Sequence, residues 1–226
     1  CSSDLILTGR HTWQLEEASC HFGKFPSKFA VYPSLLEEAG YHVGHTGKGW
    51  GPGDYEAGGF EHNPAGRAYH GAKLDPPTTG MSAKDYAGNF ARFLDERPDD
   101  APFCFWYGAH EPHRHYEEGS GVRAGRRTED VTPPAYLPDE EIVRSDLLDY
   151  TLEVEWFDEH LGRILAQLEE AGELADTLVV VTSDNGMPFP RVKGQMYEHD
   201  FNMPFAAMWR GAVKGGRVVT DFVSFR

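Results

Sequence analysis

The chain has 226 residues, 40% hydrophobic and 13% aromatic, enough to bury the core of one sizeable domain. No stretch approaches the roughly 20 apolar residues of a membrane-spanning helix. A formal charge of -15, from 36 acidic against 21 basic residues, argues against a nucleic-acid partner, so any anion site must be a local grouping of cations set against the overall field.

The three cysteines, Cys1, Cys20 and Cys104, show no metal-type spacing. Nothing resembling a signal peptide precedes Cys1, and the apolar segment from Val218 to Phe225 reads as stopped in mid-course. The chain is therefore read as a fragment truncated at both ends. Along it, Ser34 to Ala39 predicts a short helix that Gly40 terminates, then a strand over Tyr41 to His45 and a glycine-rich loop from Gly47 to Gly53. A helix from Ser82 to about Glu96 is expected next, capped by Ser82, buried through Tyr86, Phe90, Phe93 and Leu94, and ended by Pro98. A buried strand over Pro102 to Tyr107 follows.

Glu117 to Pro138, rich in Gly, Arg and Pro and without sustained period, predicts a long surface excursion. The longest helix is expected from about Asp139 to Ala171. Leu148, Leu152, Phe157, Leu161, Ile164, Leu165 and Leu168 give it helical apolar spacing, Trp156 and Asp158 fall off or at the edge of that stripe, and Gly172 stops it. A buried strand over Thr177 to Thr182 and another apolar strand from Phe205 to Trp209 complete the pattern. This βα alternation predicts an α/β fold with a mainly parallel sheet sandwiched by helices.

Four polar constellations fall at predicted strand ends or in the loops after them, where open α/β sheets hold their ligands. Lys48 sits among glycines that let a substrate approach the backbone. His110-Glu111-Pro112-His113-Arg114-His115 offers three imidazoles and a guanidinium for an oxyanion or a general acid. Asp184 and Asn185, closing the run Leu178 to Val181, supply oxygen ligands of the kind that suit calcium or magnesium. Lys193 follows a stiff Pro188-Phe189-Pro190 segment that can return the chain over the same crevice. Each alone is an ordinary surface feature; together they describe an anion site.

Leu7-Thr8-Gly9-Arg10, Gly44 to Lys48, His110 to Arg114, Asp158 to Gly162 and Thr177 to Gly186, in this order and spacing, resemble the type I sulfatases of the alkaline phosphatase superfamily. The His-Glu-Pro-His-Arg and Asp-Asn-Gly-Met-Pro-Phe-Pro strings look most like the sulfamidase (N-sulfoglucosamine sulfohydrolase) branch. The resemblance implies an alkaline-phosphatase-like domain of which residues 1–226 are part, lacking an N-terminal strand with two metal-binding aspartates and a C-terminal subdomain. It implies that Asp184 and Asn185 are calcium ligands (magnesium being possible), that Lys48 and Lys193 contact sulfate, and that His113 holds the substrate oxygen beside the nucleophile. Arg114, His110 and Trp50 are candidate substrate contacts, with Tyr55, His62 and Arg67 as further sugar or uronate contacts. A sulfated carbohydrate substrate and an exported, periplasmic or lysosome-like location follow from the same resemblance.

Two features depart from the family pattern. The nucleophile there is a cysteine oxidised to formylglycine within Cys-x-Pro/Ala-x-Arg, whereas Cys1 precedes Ser2, Ser3 and Asp4. Counting back from Leu7-Thr8-Gly9 places the nucleophile two positions before Cys1, and both registers break the motif. Cys1 is kept as the candidate nucleophile. Trp50 stands where many relatives carry a histidine, and His45 or His110 are the candidates to replace it. The implied activity is hydrolysis of sulfate esters or sulfamates, with the fragment itself expected to bind metal poorly and to be inactive. The alternatives are a phosphomonoester or phosphonate hydrolase of the same superfamily and a non-catalytic sulfated-glycan-binding homologue.

Overall fold

The structure, a computed structural model, describes residues 2–19, 22–99 and 101–225. Cys1, the candidate nucleophile, lies outside the described residues. Two compact units share the chain: one comprises Cys1–Gly71, Gly88–Gly108 and Lys214–Arg226, the other Ala72–Ala87 and Ala109–Val213.

The first unit is built on a parallel sheet in the order β2-β1-β3, with β1 at His42–Gly47, β2 at Arg67–Ala68 and β3 at Phe103–Gly108. His42 lies opposite Phe103, and the register runs on without interruption to Gly47 opposite Gly108. This is the parallel α/β sheet that the sequence pattern predicts. Before it come α1 (Ser2–Thr8) and α2 (Tyr32–Glu38). Helix α2 starts two residues earlier than expected because Pro33 fits the first turn of a helix, where its missing N–H costs nothing. It ends as expected: Gly40 adopts φ 91°, and the Tyr41 N–H reaches back to the Leu36 carbonyl at 3.0 Å, satisfying an otherwise orphaned acceptor.

Helix α3 (Tyr86–Asp95) contributes Phe90 and Phe93, both buried, to the face of the sheet. Their rings lie 5.0 and 4.7 Å from that of Phe105. A second apolar cluster gathers Leu7, Leu15, Ala18, Phe25, Phe29 and Val31, with Trp50, Phe60 and Trp106 packed against it.

The expected cap at Ser82 does not form, and α3 begins four residues later. Residues 82–85 are engaged in extended pairing instead: Lys84 bridges Lys73 in antiparallel fashion, and the Asp85 N–H donates to the Ala72 carbonyl at 3.1 Å. A local capping preference of about 1 kcal/mol yields to these bonds.

The second unit centres on α5, Glu141–Glu170, close to its predicted span. Gly172 at φ 73° closes it, with the Glu173 N–H on the Leu168 carbonyl at 2.9 Å. The buried face of α5 carries Leu147, Leu148, Ile164 and Leu168, but also Asp149, Glu153 and His160. The excursion at 117–138 is fastened to this helix and contains a short α4, Ser120–Arg123. Asp149 accepts the backbone N–H of Gly119 at 2.8 Å and of Gly121 at 2.7 Å. Gly121 is required there, since a Cβ would stand 2.5 Å from the Leu148 carbonyl carbon.

The strand β4, Val179–Thr182, pairs antiparallel with β5, Phe205–Met208, as a two-stranded ribbon. The short helix α6, Glu198–Phe201, lies between them in sequence. The expectation of a buried strand at 177–182 is corrected, because with one partner strand Val180 stays 49% exposed. No helix among the described residues is long and apolar enough to cross a membrane.

Candidate active site

In the first unit β1 delivers Lys48 at its carboxyl end. The Lys48 N–H donates to the Gly108 carbonyl at 2.6 Å, and the Gly47 N–H donates to Nε2 of His70 at 3.1 Å. Two neighbouring glycines make this close approach possible. A Cβ on Gly108 would lie 2.3 Å from the Lys48 carbonyl oxygen, and one on Gly49 would lie 2.0 Å from the His45 ring. His45 is buried beneath the loop, and burial pushes its imidazole below the usual range, so it stays neutral. The backbone at Lys48 is therefore tightly fixed, while its side chain is exposed.

Trp50 is half-buried. Its Nε1–H donates to the Gly53 carbonyl at 2.7 Å, and its indole meets the Phe25 ring edge-on at 4.9 Å. It is thus part of the apolar cluster. His62 and Arg67 pair with Glu37 and Glu96 respectively.

The second unit holds the remaining described candidates and brings several of them onto common supports. Asp184 and Asn185 follow β4 after Ser183, Asp184 being exposed. The Asn185 carboxamide nitrogen donates to the Gly186 carbonyl at 2.7 Å, which leaves its oxygen as the ligand atom. Asp200 braces this turn: its Oδ1 accepts the Gly186 N–H at 3.2 Å, and its Oδ2 accepts the Gln195 N–H at 3.1 Å. One carboxylate thus ties the Asp-Asn-Gly turn to the segment that presents Lys193. Gly186 is needed at that point, since a Cβ would meet the His199 carbonyl oxygen at 2.1 Å. Lys193 is exposed, between Arg191 and Gly194, which both adopt left-handed φ values.

His113 is exposed, and its Nδ1 faces the Arg114 carbonyl. A nitrogen facing a carbonyl must carry the proton, which leaves Nε2 as the atom able to accept one. Arg114 has structural partners. Its guanidinium bonds Asp146 at 3.0 Å and the Pro188 carbonyl at 3.1 Å and lies 4.8 Å from the rings of both Tyr116 and Phe189. It joins the histidine loop to α5 and to the segment after the Asp-Asn-Gly turn. His110 has Lys84 Nζ 3.4 Å from its Nε2.

Sequence reasoning passed over Glu111, Tyr86, Glu153 and Asp200. The available signal was on α5, where Asp149, Glu153 and His160 interrupt the apolar positions at helical spacing. Glu153 is 2% exposed, and burial together with the nearby Glu111 charge pushes its carboxyl up to about 8 from an ordinary 4.5. The folded state therefore keeps a proton that the unfolded chain releases. This stabilisation is fully present below about 4.5 and is lost as pH rises through about 8. Each tenfold change in proton affinity is worth about 1.4 kcal/mol, so the effect amounts to a few kcal/mol. Glu153→Gln, which has no proton to lose, is expected to flatten the fall in Tm between pH 5 and 8 in thermal melts. An unchanged slope would show that Glu153 does not titrate in this window.

Asp184 and Asn185 form a two-oxygen donor pair of the hardness that calcium or magnesium takes. Among the described residues no three His, Cys, Asp or Glu side chains converge as a metal site, so the pair fits such an ion as part of a larger ligand set.

The first unit is a parallel α/β sheet with the exposed Lys48 just after β1, and the second carries Asp184 and Asn185 on the turn after the antiparallel β4–β5 ribbon's first strand. The sulfatase family model matches residues 4–224, and the chain belongs to the sulfatase family. It is similar to human N-sulphoglucosamine sulphohydrolase, 31% identical over 198 residues that cover 78% of this chain and 38% of that protein. It also resembles an N-acetylglucosamine-6-O-sulfatase of Bacteroides thetaiotaomicron, 39% identical over 72 residues, covering 30% of this chain and 13% of that one. A solved structure described as a complex with its substrate D-glucosamine-2-N,6-O-disulfate shares the fold, with TM-score 0.62 and 20% identity, covering 95% of this chain and 62% of the other. The chain spans little more than a third of the human relative's length.

Proposed function

We propose that the intact protein hydrolyses a sulfate ester or sulfamate on a carbohydrate. The observation that carries this reading is the 31% identity to an N-sulphoglucosamine sulphohydrolase, within a match spanning 78% of the chain. The names of the two glucosamine-directed relatives support an amino-sugar sulfate as the substrate class.

Asp184 and the Asn185 carboxamide oxygen would hold the divalent cation, calcium in the first instance, which when bound neutralises charge on the sulfate group. A formylglycine made from a cysteine, Cys1 or one upstream of it, would supply the nucleophile. Lys48 and Lys193, both exposed, would each supply a cationic point charge to sulfate oxygens, which counts most as charge shifts in the transition state. His113 presents Nε2, the nitrogen that can hold or return a proton at the nucleophile or the leaving atom. Arg114 keeps that imidazole in place through Asp146 and Pro188.

Mass spectrometry of the full-length protein tests the nucleophile: the reading expects a thiol-to-aldehyde mass loss on one N-terminal cysteine. An unmodified thiol throughout would favour a glycan-binding homologue without turnover.

A further inference from the structure

The loop that carries His113 is fastened by side chains that the hydrolytic scheme leaves unused. Glu111 is 6% exposed although it stands beside the exposed His110 and two residues before the exposed His113. Its carboxylate is divided between two donors. Oε1 accepts the backbone N–H of Ser82 at 2.6 Å, and Oε2 accepts the hydroxyl of Tyr86 at 2.8 Å. The Tyr86 hydroxyl gives its proton to Glu111 and accepts the backbone N–H of His110 at 3.0 Å. This closes a ring from the His110 amide through Tyr86 to the Glu111 side chain and back along the backbone. The next turn is built on the same anchor, since the His113 N–H donates to the His110 carbonyl at 3.0 Å.

A buried carboxylate with two donors makes charge-assisted bonds, stronger than neutral ones and costly to leave unmade. An exposed connecting loop needs no such device in order to fold. The residues just before α3 are held in extended form by pairing with residues 72 and 73, and the Ser82 N–H is held by Glu111.

We propose that Glu111, acting through Tyr86, is a positioning residue that fixes the His110–His113 turn and so sets where His113 Nε2 stands. The proposal rests on the hydrolase reading for its kinetic consequence but not for its structural one. Tyr86→Phe removes a single oxygen from a buried ring and keeps the packing. In the full-length protein it is expected to raise hydrogen exchange at the His110 amide roughly tenfold, with exchange in α5 unchanged. With a sulfate ester substrate, kcat is expected to fall roughly tenfold while KM stays within about twofold. Glu111→Gln, which keeps one acceptor oxygen, should retain more of both than Glu111→Ala.

Unchanged exchange at residues 109–113 in Tyr86→Phe would overturn the proposal, as would a fall in kcat matched by an equal loss of folded protein. If the wild type releases no sulfate, the hydrolase reading fails, and the exchange measurement still decides the bracket. If Glu111→Ala does not fold, Tyr86→Phe and Glu111→Gln carry the test.

Discussion

Lys48→Ala in the intact protein is expected to lower kcat toward a sulfate ester by roughly 10²- to 10³-fold, about 2.7–4 kcal/mol of transition-state stabilisation. The magnitude follows from where the charge sits. The Lys48 amide is bonded to the Gly108 carbonyl at 2.6 Å, and the preceding amide is held by His70 at 3.1 Å, so the ammonium is carried on backbone that is already fixed. A charge positioned before the reaction needs no reorganisation during it, which is what makes such a contact expensive to lose. The side chain itself is exposed, so alanine should leave the fold intact. Steady-state kinetics beside a thermal melt checks this: a lowered kcat with unchanged Tm is expected, and turnover within twofold of wild type would remove Lys48 from the sulfate site.

The largest expected effect on stability is at Phe93. Its ring is fully buried and stacks 4.5 Å from His42, lies 4.7 Å from Phe105 and 6.0 Å from Phe103, and meets Tyr69 edge-on at 5.5 Å. It also fills the space above Gly44 in β1, where a Cβ would come within 2.8 Å of the ring. Phe93→Ala removes the one group common to all these contacts and leaves a cavity that a sheet with fixed register cannot close. A cost of about 3–5 kcal/mol is expected. Denaturant unfolding followed by far-UV circular dichroism measures it, and a loss below about 1 kcal/mol would show that the α3–sheet interface repacks.

The features legible in the sequence are those written in local chemistry. The span of α5, its stop at Gly172 and the end of α2 at Gly40 rest on periodicity and on the one residue that takes positive φ without strain. The strand β3 is legible as an apolar run and β1 from its place between the Gly40 stop and the glycine-rich loop, and their parallel pairing follows from the helix between them. The antiparallel pairing of β5 with β4 was not, because an apolar strand has the same alternation whichever way its neighbour runs. The Ser82 cap fails because residues 82–85 pair in extended form, with Lys84 bridging Lys73 and the Asp85 N–H donating to the Ala72 carbonyl, contacts that a capping preference does not reveal.

The candidate site divides in the same way. Lys48, His113, Asp184, Asn185 and Lys193 stand out as residue types in glycine- or proline-marked loops. The side chains that hold those loops do not, since each acts at long sequence range. Asp200 reaches Gly186 across 14 residues, Arg114 reaches Asp146 across 32, and Tyr86 reaches Glu111 across 25. Arg114 reads as a substrate contact from its place in a histidine loop, and the structure adds what the sequence does not show, bonds to Asp146 and to the Pro188 carbonyl.

The most direct measurement is inorganic sulfate released by the full-length, calcium-loaded protein from N-sulfoglucosamine and from an aryl sulfate, with an aryl phosphate as the competing substrate. Sulfate released from at least one of the first two, at a rate exceeding phosphate release from the third, is the predicted result. Faster phosphate release, or no release from any of them by protein whose N-terminal cysteine has been converted to the aldehyde, would contradict it.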